Sequence, residues 1–208
     1  FRRFGLRVRI LLNNRKILAG IAEATGRGDR LIDITTAIDK LEKIGEEKVF
    51  DELRSKGFTE DELSKLRPFL ALSGSNREKL TQLKGLLATS EEGQKGIEEL
   101  EYILDHIDRL DLKAELVVDL SLARGLSYYT GAILEVKALD AAMGSISGGG
   151  RYDNLTGIFG LDGLSGVGIS FGADRIYDVL LELGLFPSEA EVGTQVLFAN
   201  FSEEDAAY

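Results

Sequence analysis

Cysteine is absent from the 208 residues, so neither a disulfide nor a thiolate-held metal is available to this chain. Histidine occurs once, as His106, which excludes a histidine-rich metal centre. Any metal would be held by oxygen and by substrate phosphates, as magnesium is. His106 itself lies in a helical stretch and reads as a surface or core residue with no catalytic part. No apolar run approaches the roughly 20 residues of a membrane span. The opening FRRFGLRVRI lacks the apolar block and cleavage site of a secretory signal, so the chain is expected to be cytoplasmic, with no membrane partner. Basic residues are scarce too. The 25 Lys and Arg against 35 Asp and Glu leave a formal net charge of −10, which argues against a broad nucleic-acid surface.

What is present is an ordinary globular composition, 44% hydrophobic, long enough for one good core or a core plus a small module. The charge is unevenly spread. Residues 1–28 carry seven basic groups and one acid, residues 29–115 carry fourteen and twenty-one, and residues 116–208 carry four and thirteen. In that last stretch the cations are Arg124, Lys137, Arg151 and Arg175, and all three arginines lie among glycines or tyrosines.

Residues 6–12 (LRVRILL) alternate as a strand does, and Ile17, Leu18 and Ile21 predict a helix that stops near Gly26 and Gly28. From about 35 to 110 the pattern is helical, in four or five short helices. Thr59 with Glu62 and Ser75 with Glu78 form capping boxes, and Ile97, Leu100, Ile103, Leu104 and Ile107 make one apolar stripe. Strand character returns at 115–123 and 132–139, which are expected to be neighbouring antiparallel strands. Ten of the twenty-nine residues from Gly144 to Gly172 are glycine, against an average near 7%. GVGISFG then reads as a strand, ADRIYDVLLELG as a helix, and TQVLFANFSEEDAAY as the start of another unit. The fold class is therefore α+β, a sheet domain interrupted by a helical insertion.

Three segments carry chemistry. In Ala123-Arg124-Gly125-Leu126-Ser127-Tyr128-Tyr129-Thr130-Gly131, a cation at a strand end precedes a glycine and two phenols, a set suited to a carboxylate or phosphate beside a planar polar ligand. A hairpin with the tyrosines as cross-strand filler fits the pattern equally well. Gly148-Gly149-Gly150-Arg151-Tyr152-Asp153-Asn154-Leu155 sacrifices roughly 0.5–1 kcal/mol per glycine, so side chains must be excluded there by a ligand-facing floor or by a bulge or turn. In Gly166 to Arg175 the alternating glycines leave one strand face bare. Arg175 falls in the first turn of the next helix, where a cation is disfavoured by about 0.3–1 kcal/mol unless it serves an anion such as phosphate. The G-x-G-x-x-x-G spacing has no following acid, and no GKS or GKT occurs, so dinucleotide-fold and P-loop readings fail.

Taken in order, RGLSYYTG, SGGGRYDNL and GVGISFGADRI resemble the two histidine-specific signatures and motif 3 of the histidyl-tRNA synthetases, a class II synthetase family. NNRKILAGI and LVVDLSLARGLSYYTG resemble its versions with a eukaryote-like insertion, so the likeness covers essentially the whole chain. Ser127 stands where the family more often has an acid or amide, and Ser147 where Ala or Cys is common. The resemblance implies part of a class II antiparallel sheet core: residues 1–30 as core, 31–113 as the helical insertion, 114–190 as core with the signatures, and 191–208 as the start of an anticodon-binding domain. It also implies activation of histidine with ATP and Mg2+, without a prosthetic group, and transfer to tRNA(His) by a protein that is a homodimer at full length. Arg124 would stabilise the α-phosphate as the catalytic and ATP-binding arginine. Tyr128, Tyr129, Gly148, Gly149, Gly150 and Tyr152 would form the histidine pocket, while Gly172 and Arg175 would hold ATP. Motif 1 and the motif 2 arginine loop are not in this sequence, so the chain is expected to be inactive alone. Two other readings compete: the non-catalytic regulatory subunit of ATP phosphoribosyltransferase, which shares the fold but erodes these arginine signatures, and an unrelated interaction protein.

Overall fold

The computed structural model describes residues 1–123 and 128–186. After a 3-10 turn, β1 (Val8–Asn14) runs directly into α1 (Arg15–Ala24). The junction is local chemistry: the Asn14 side chain accepts from Lys16 N at 2.9 Å and caps the helix, and Gly26 leaves it at a φ of 83°. Six helices follow before the next strand: α2 (Leu31–Ile38), α3 (Leu41–Ile44), α4 (Glu46–Ser55), α5 (Glu60–Leu70), α6 (Asn76–Leu86) and α7 (Glu91–Ile107). Four or five were expected. The difference arises at α3, a single turn parted from α4 only by Gly45 at a φ of 79°, too short to leave its own periodicity. Both capping boxes are formed, at Thr59 with Glu62 and at Ser75 with Glu78. The α7 stripe buries Ile97, Leu100 and Leu104 against Leu12, Ile17 and Ile21, so the helices share one apolar core with the sheet.

The remaining elements are β2 (Glu115–Val118), β3 (Ala132–Ala138), β4 (Ser147–Tyr152), β5 (Gly166–Phe171) and α8 (Ala173–Glu182), giving a mixed, mostly antiparallel five-stranded sheet in the order β2-β1-β3-β4-β5. The expectation that 115–123 and 132–139 are neighbours is corrected here. β1 lies between them, parallel to β2 and antiparallel to β3. β2 is also shorter than expected, because Asp119 captures the Ser121 backbone N–H at 2.8 Å and its hydroxyl at 2.7 Å, turning the chain out of the strand.

Residues paired across strands share a face. One face carries Ile10, Leu12, Leu134 and Val136 with Val167, Ile169 and Phe171, and at one end of it α8 packs Val179 and Leu180 against Val8, Val136 and Ala138. The opposite face carries two rows, Leu11–Glu135–Gly148–Ser170 and Asn13–Ile133–Gly150–Gly168. This second face holds the signature residues.

Candidate active site

The site is built on β4. Its period of two puts Gly148, Gly150 and Tyr152 on the second face and Gly149 on the other. The three glycines have three different neighbours. A Cβ at Gly150 would stand 2.9 Å from the Tyr129 ring and 2.8 Å from the Ala132 carbonyl oxygen. A Cβ at Gly149 would overlap the Gly168 carbonyl oxygen of β5, so that residue offers the second face only its backbone. At Gly148 the nearest atom is the Leu134 oxygen at 3.5 Å, so this glycine alone leaves bare floor. Tyr152 lies over Gly166 and Gly168 of β5, which explains the glycine alternation there without any ligand.

Tyr129 therefore covers Gly150 as cross-strand filler would, and it is also one of three rings in an aromatic cluster. Its ring meets Tyr128 edge-on at 4.8 Å, and Tyr128 meets Tyr152 edge-on at 6.0 Å. Burial, and then the Tyr128 hydroxyl, push the Tyr129 phenol above its ordinary value, so it stays neutral and able to donate or accept.

The ends of the signature segment are tied to β1 and its helix. Asn13, fully buried, donates through Nδ2 to the Leu122 carbonyl at 3.0 Å and, more weakly, to that of Leu120 at 3.4 Å. Arg15 reaches both sides: its backbone N–H donates to the Gly131 carbonyl at 3.0 Å, and its guanidinium lies 3.5 Å from the Ala123 carbonyl, held below its ordinary pKa by burial. Arg124, with Gly125 to Ser127, lies outside the described residues.

About 7 Å from Gly150 along β4, a distance set by two residues of strand rise, the floor at Gly148 opens into a cavity of about 360 Å³. Glu135, Ser147, Ser170, Gly172 and Arg175 line it. Gly172 caps α8 and Arg175 sits in its first turn, where Nη1 donates to the Ser145 carbonyl at 2.7 Å. A helix N-terminus with a guanidinium beside it attracts anions. Glu135 was missed by sequence reasoning, although an acid at the centre of an apolar strand is a signal; Lys137 Nζ stands 4.0 Å from its Oε1. His106 is exposed on α7, its ring tilted against that of Tyr102 with centroids 4.2 Å apart, and it lines neither the tyrosine cluster nor the cavity. The structure thus gathers Tyr128, Tyr129, Gly150 and Tyr152 in one cluster and Gly148, Gly172 and Arg175 in the adjoining cavity.

A family model described as histidyl-tRNA synthetase matches residues 3–176. The chain belongs to the histidyl-tRNA synthetase family. It is 72% identical over 206 residues to a histidine–tRNA ligase of Porphyromonas gingivalis, covering 99% of this chain and 45% of that one. To the histidine–tRNA ligase of Phocaeicola vulgatus it is 63% identical over 208 residues, covering 100% and 46%. The chain thus spans about half the length of the curated relatives it matches. A histidyl-tRNA synthetase structure from Nostoc sp. PCC 7120 superposes with a TM-score of 0.79 at 36% identity, over 87% of this chain and 43% of that one. An ATP phosphoribosyltransferase regulatory subunit/histidyl-tRNA synthetase from Bacillus halodurans C, 22% identical with a TM-score of 0.68 over 87% and 45%, shares the fold. No helix among the described residues is long and apolar enough to cross a membrane.

Proposed function

We propose that this chain supplies the histidine pocket and part of the ATP site of a histidine–tRNA ligase, which activates histidine to histidyl-adenylate and transfers it to tRNA(His). The observation that carries this reading is the contiguity on β4 of an aromatic cluster at Tyr128, Tyr129 and Tyr152 with a bare floor at Gly148 that leads to Arg175 at a helix N-terminus. A planar polar side chain suits the first part and a polyphosphate the second. The identity to named histidine–tRNA ligases supports it.

In this reading the histidine carboxylate forms a bond to the α-phosphorus of ATP as the bond to the β-phosphate oxygen breaks and pyrophosphate leaves. No protein nucleophile takes part; the residues position the reactants and stabilise charge. Arg124 stabilises the α-phosphate, Tyr129 hydrogen-bonds the imidazole, and Arg175 with Gly172 receives the γ-phosphate. Magnesium arrives with ATP as part of the substrate; the described residues hold no group of three or more carboxylate, imidazole or thiolate ligands that would form a cage for it. The helices from residue 31 to 113 act as an insertion between the core segments 1–30 and 114–190, residues from 191 begin the anticodon-binding part, and the full-length protein is a homodimer.

The test is histidine-dependent pyrophosphate exchange in a polypeptide of the relatives' full length that carries this chain. Arg124→Ala is expected to lower the rate by 10² or more, the scale of losing a key electrostatic donor; exchange near the wild-type rate would remove Arg124 from the chemistry. Tyr129→Phe should raise the histidine KM, one hydroxyl to a buried polar ligand being worth about 1–3 kcal/mol. Residues 1–208 alone are expected to show no exchange, because positioning collapses when part of the cage is missing. No exchange by the full-length wild type would favour the regulatory-subunit reading instead.

A further inference from the structure

Besides the tyrosine contacts, the two signature segments are tied together at one corner by a carboxylate that has no part in the proposed pocket. Thr130, which directly follows Tyr129, donates its backbone N–H to the Arg151 carbonyl at 2.8 Å and its hydroxyl to Asp153 Oδ2 at 2.5 Å. Asp153, which directly follows Tyr152, accepts Arg151 Nε on its other oxygen at 3.0 Å. Both carboxylate oxygens of Asp153 thereby hold protein groups in place. Its carboxyl is held below the usual range by the Thr130 hydroxyl first and the Arg151 guanidinium second, so the acceptor remains ionised. Gly131 closes the same corner: a Cβ there would stand 2.9 Å from Arg151 Cδ.

The consequence lies one residue back along the chain. Tyr129 must sit over Gly150, where its ring lies closer than a Cβ at that position would permit, and its partner Tyr128 must reach Tyr152. The tie at Thr130 holds the residue next to both rings; without it Thr130 keeps its backbone bond to Arg151, and Gly131 its bond from the Arg15 N–H, but no side chain of Thr130 anchors the ring-bearing segment to Asp153.

We propose that Asp153 is a positioning residue of this site: through Thr130 it fixes how Tyr128 and Tyr129 stand over Gly150, and so sets the affinity for the imidazole-bearing substrate. This rests on the reading that Tyr129 lines the histidine pocket.

The experiment compares Asp153→Asn, Thr130→Val, Thr130→Ser and the Asp153→Asn/Thr130→Val double variant in the full-length protein, measuring KM for histidine and for ATP separately in pyrophosphate exchange. Asp153→Asn and Thr130→Val should each raise the histidine KM about tenfold while the ATP KM stays within about twofold. The double variant should be no worse than the poorer single one, because both remove one tie. Thr130→Ser, which keeps the hydroxyl, should be near wild type. An unchanged histidine KM in Thr130→Val, an equal rise for ATP, multiplied losses in the double variant, or a Thr130→Ser as impaired as Thr130→Val would each overturn the proposal. If Asp153→Asn fails to fold, the Thr130→Val and Thr130→Ser pair decides alone. Tyr129→Ala, run beside them, separates two failures: an unchanged histidine KM there overturns the pocket reading itself, whereas an impaired Tyr129→Ala with an unaffected Thr130→Val overturns only the role of Asp153.

Discussion

Tyr129 lies against Gly150 so closely that a single added carbon on the glycine would stand 2.9 Å from the ring. Two positions earlier, Gly148 has no atom nearer than 3.5 Å to the same added carbon. These two glycines of one run are therefore required for different reasons, one by a tyrosine and the other by the space above it. Gly150→Ala should displace Tyr129 and destabilise the fold by about 1–3 kcal/mol, as overpacking does. Gly148→Ala should leave stability within about 0.5 kcal/mol while weakening ligand binding in the cavity beside Arg175. Denaturant midpoints and ATP titration of the full-length protein check the pair; equal destabilisation by both would contradict the assigned contacts.

A second pair of glycines tests the joint between α1 and α7. A Cβ at Gly96 would stand 2.8 Å from the Ile17 backbone nitrogen and 2.9 Å from Lys16 Cβ, whereas one at Gly85 of α6 meets nothing within 4 Å. Gly96→Ala is expected to lower stability by about 1–3 kcal/mol. Gly85→Ala should raise it by up to about 1 kcal/mol, through the lower entropy of the unfolded chain and better helix propensity. Urea unfolding measures both, and opposite signs are the expected result.

What was legible in the sequence is what local chemistry decides. Thr59 and Ser75 announce helix starts because their side-chain oxygens satisfy backbone N–H groups three residues away, and both do so. The order of the sheet was not legible. β1 enters between β2 and β3 from about 100 residues upstream, and no local pattern in 115–139 reports that a distant strand will separate them. The site was legible as motifs but not as surfaces. The period of two already separates Gly149 from Gly148 and Gly150, yet only the strand register shows that Tyr129 and Tyr152 occupy space otherwise readable as ligand floor. Glycines inside α1 and α7 were opaque for a related reason: close helix approach is a property of two surfaces, and Gly96 carries no mark of Ile17.

Acid should destabilise the fold in part through the two capping boxes. Backbone N–H donation, from Thr59 to Glu62 and from Ser75 to Glu78, holds both carboxyls below the ordinary glutamate value. A group depressed in the folded state contributes stability that is present above its unfolded value, near 4.3, and lost as pH falls through the folded one. Thermal midpoints followed by far-ultraviolet circular dichroism should thus be level above about pH 5 and fall below about pH 4. A Glu62→Gln/Glu78→Gln variant should lose less over that interval than the wild type; parallel curves would place the acid sensitivity elsewhere. Thr59→Ala should cost about 1 kcal/mol at neutral pH.

The face of the sheet opposite the candidate site carries an exposed apolar row on β5. Val167, Ile169 and Phe171 point the same way from β5 and are 71%, 55% and 65% exposed, beside a groove of about 600 Å³ that continues over Ile10, Leu134 and Ile103. Among the described residues β5 pairs on one side only, with β4, so its outer edge presents unpaired backbone groups next to that apolar row. An exposed apolar edge strand is a template for association, and contiguous patches of this kind on isolated domains drive it. Purified residues 1–208 should therefore self-associate as concentration rises and bind an apolar dye, both measurable by sedimentation and fluorescence. One inward charge at the centre of the row is the remedy that natural edge strands use, so Ile169→Lys should reduce the association while leaving the far-ultraviolet spectrum unchanged. Ile32→Lys is the matched control, because Ile32 is 77% exposed but lies on α2, away from the sheet edge. If the two lysine variants associate to the same degree as the wild type, the apolar face of β5 is not the surface responsible.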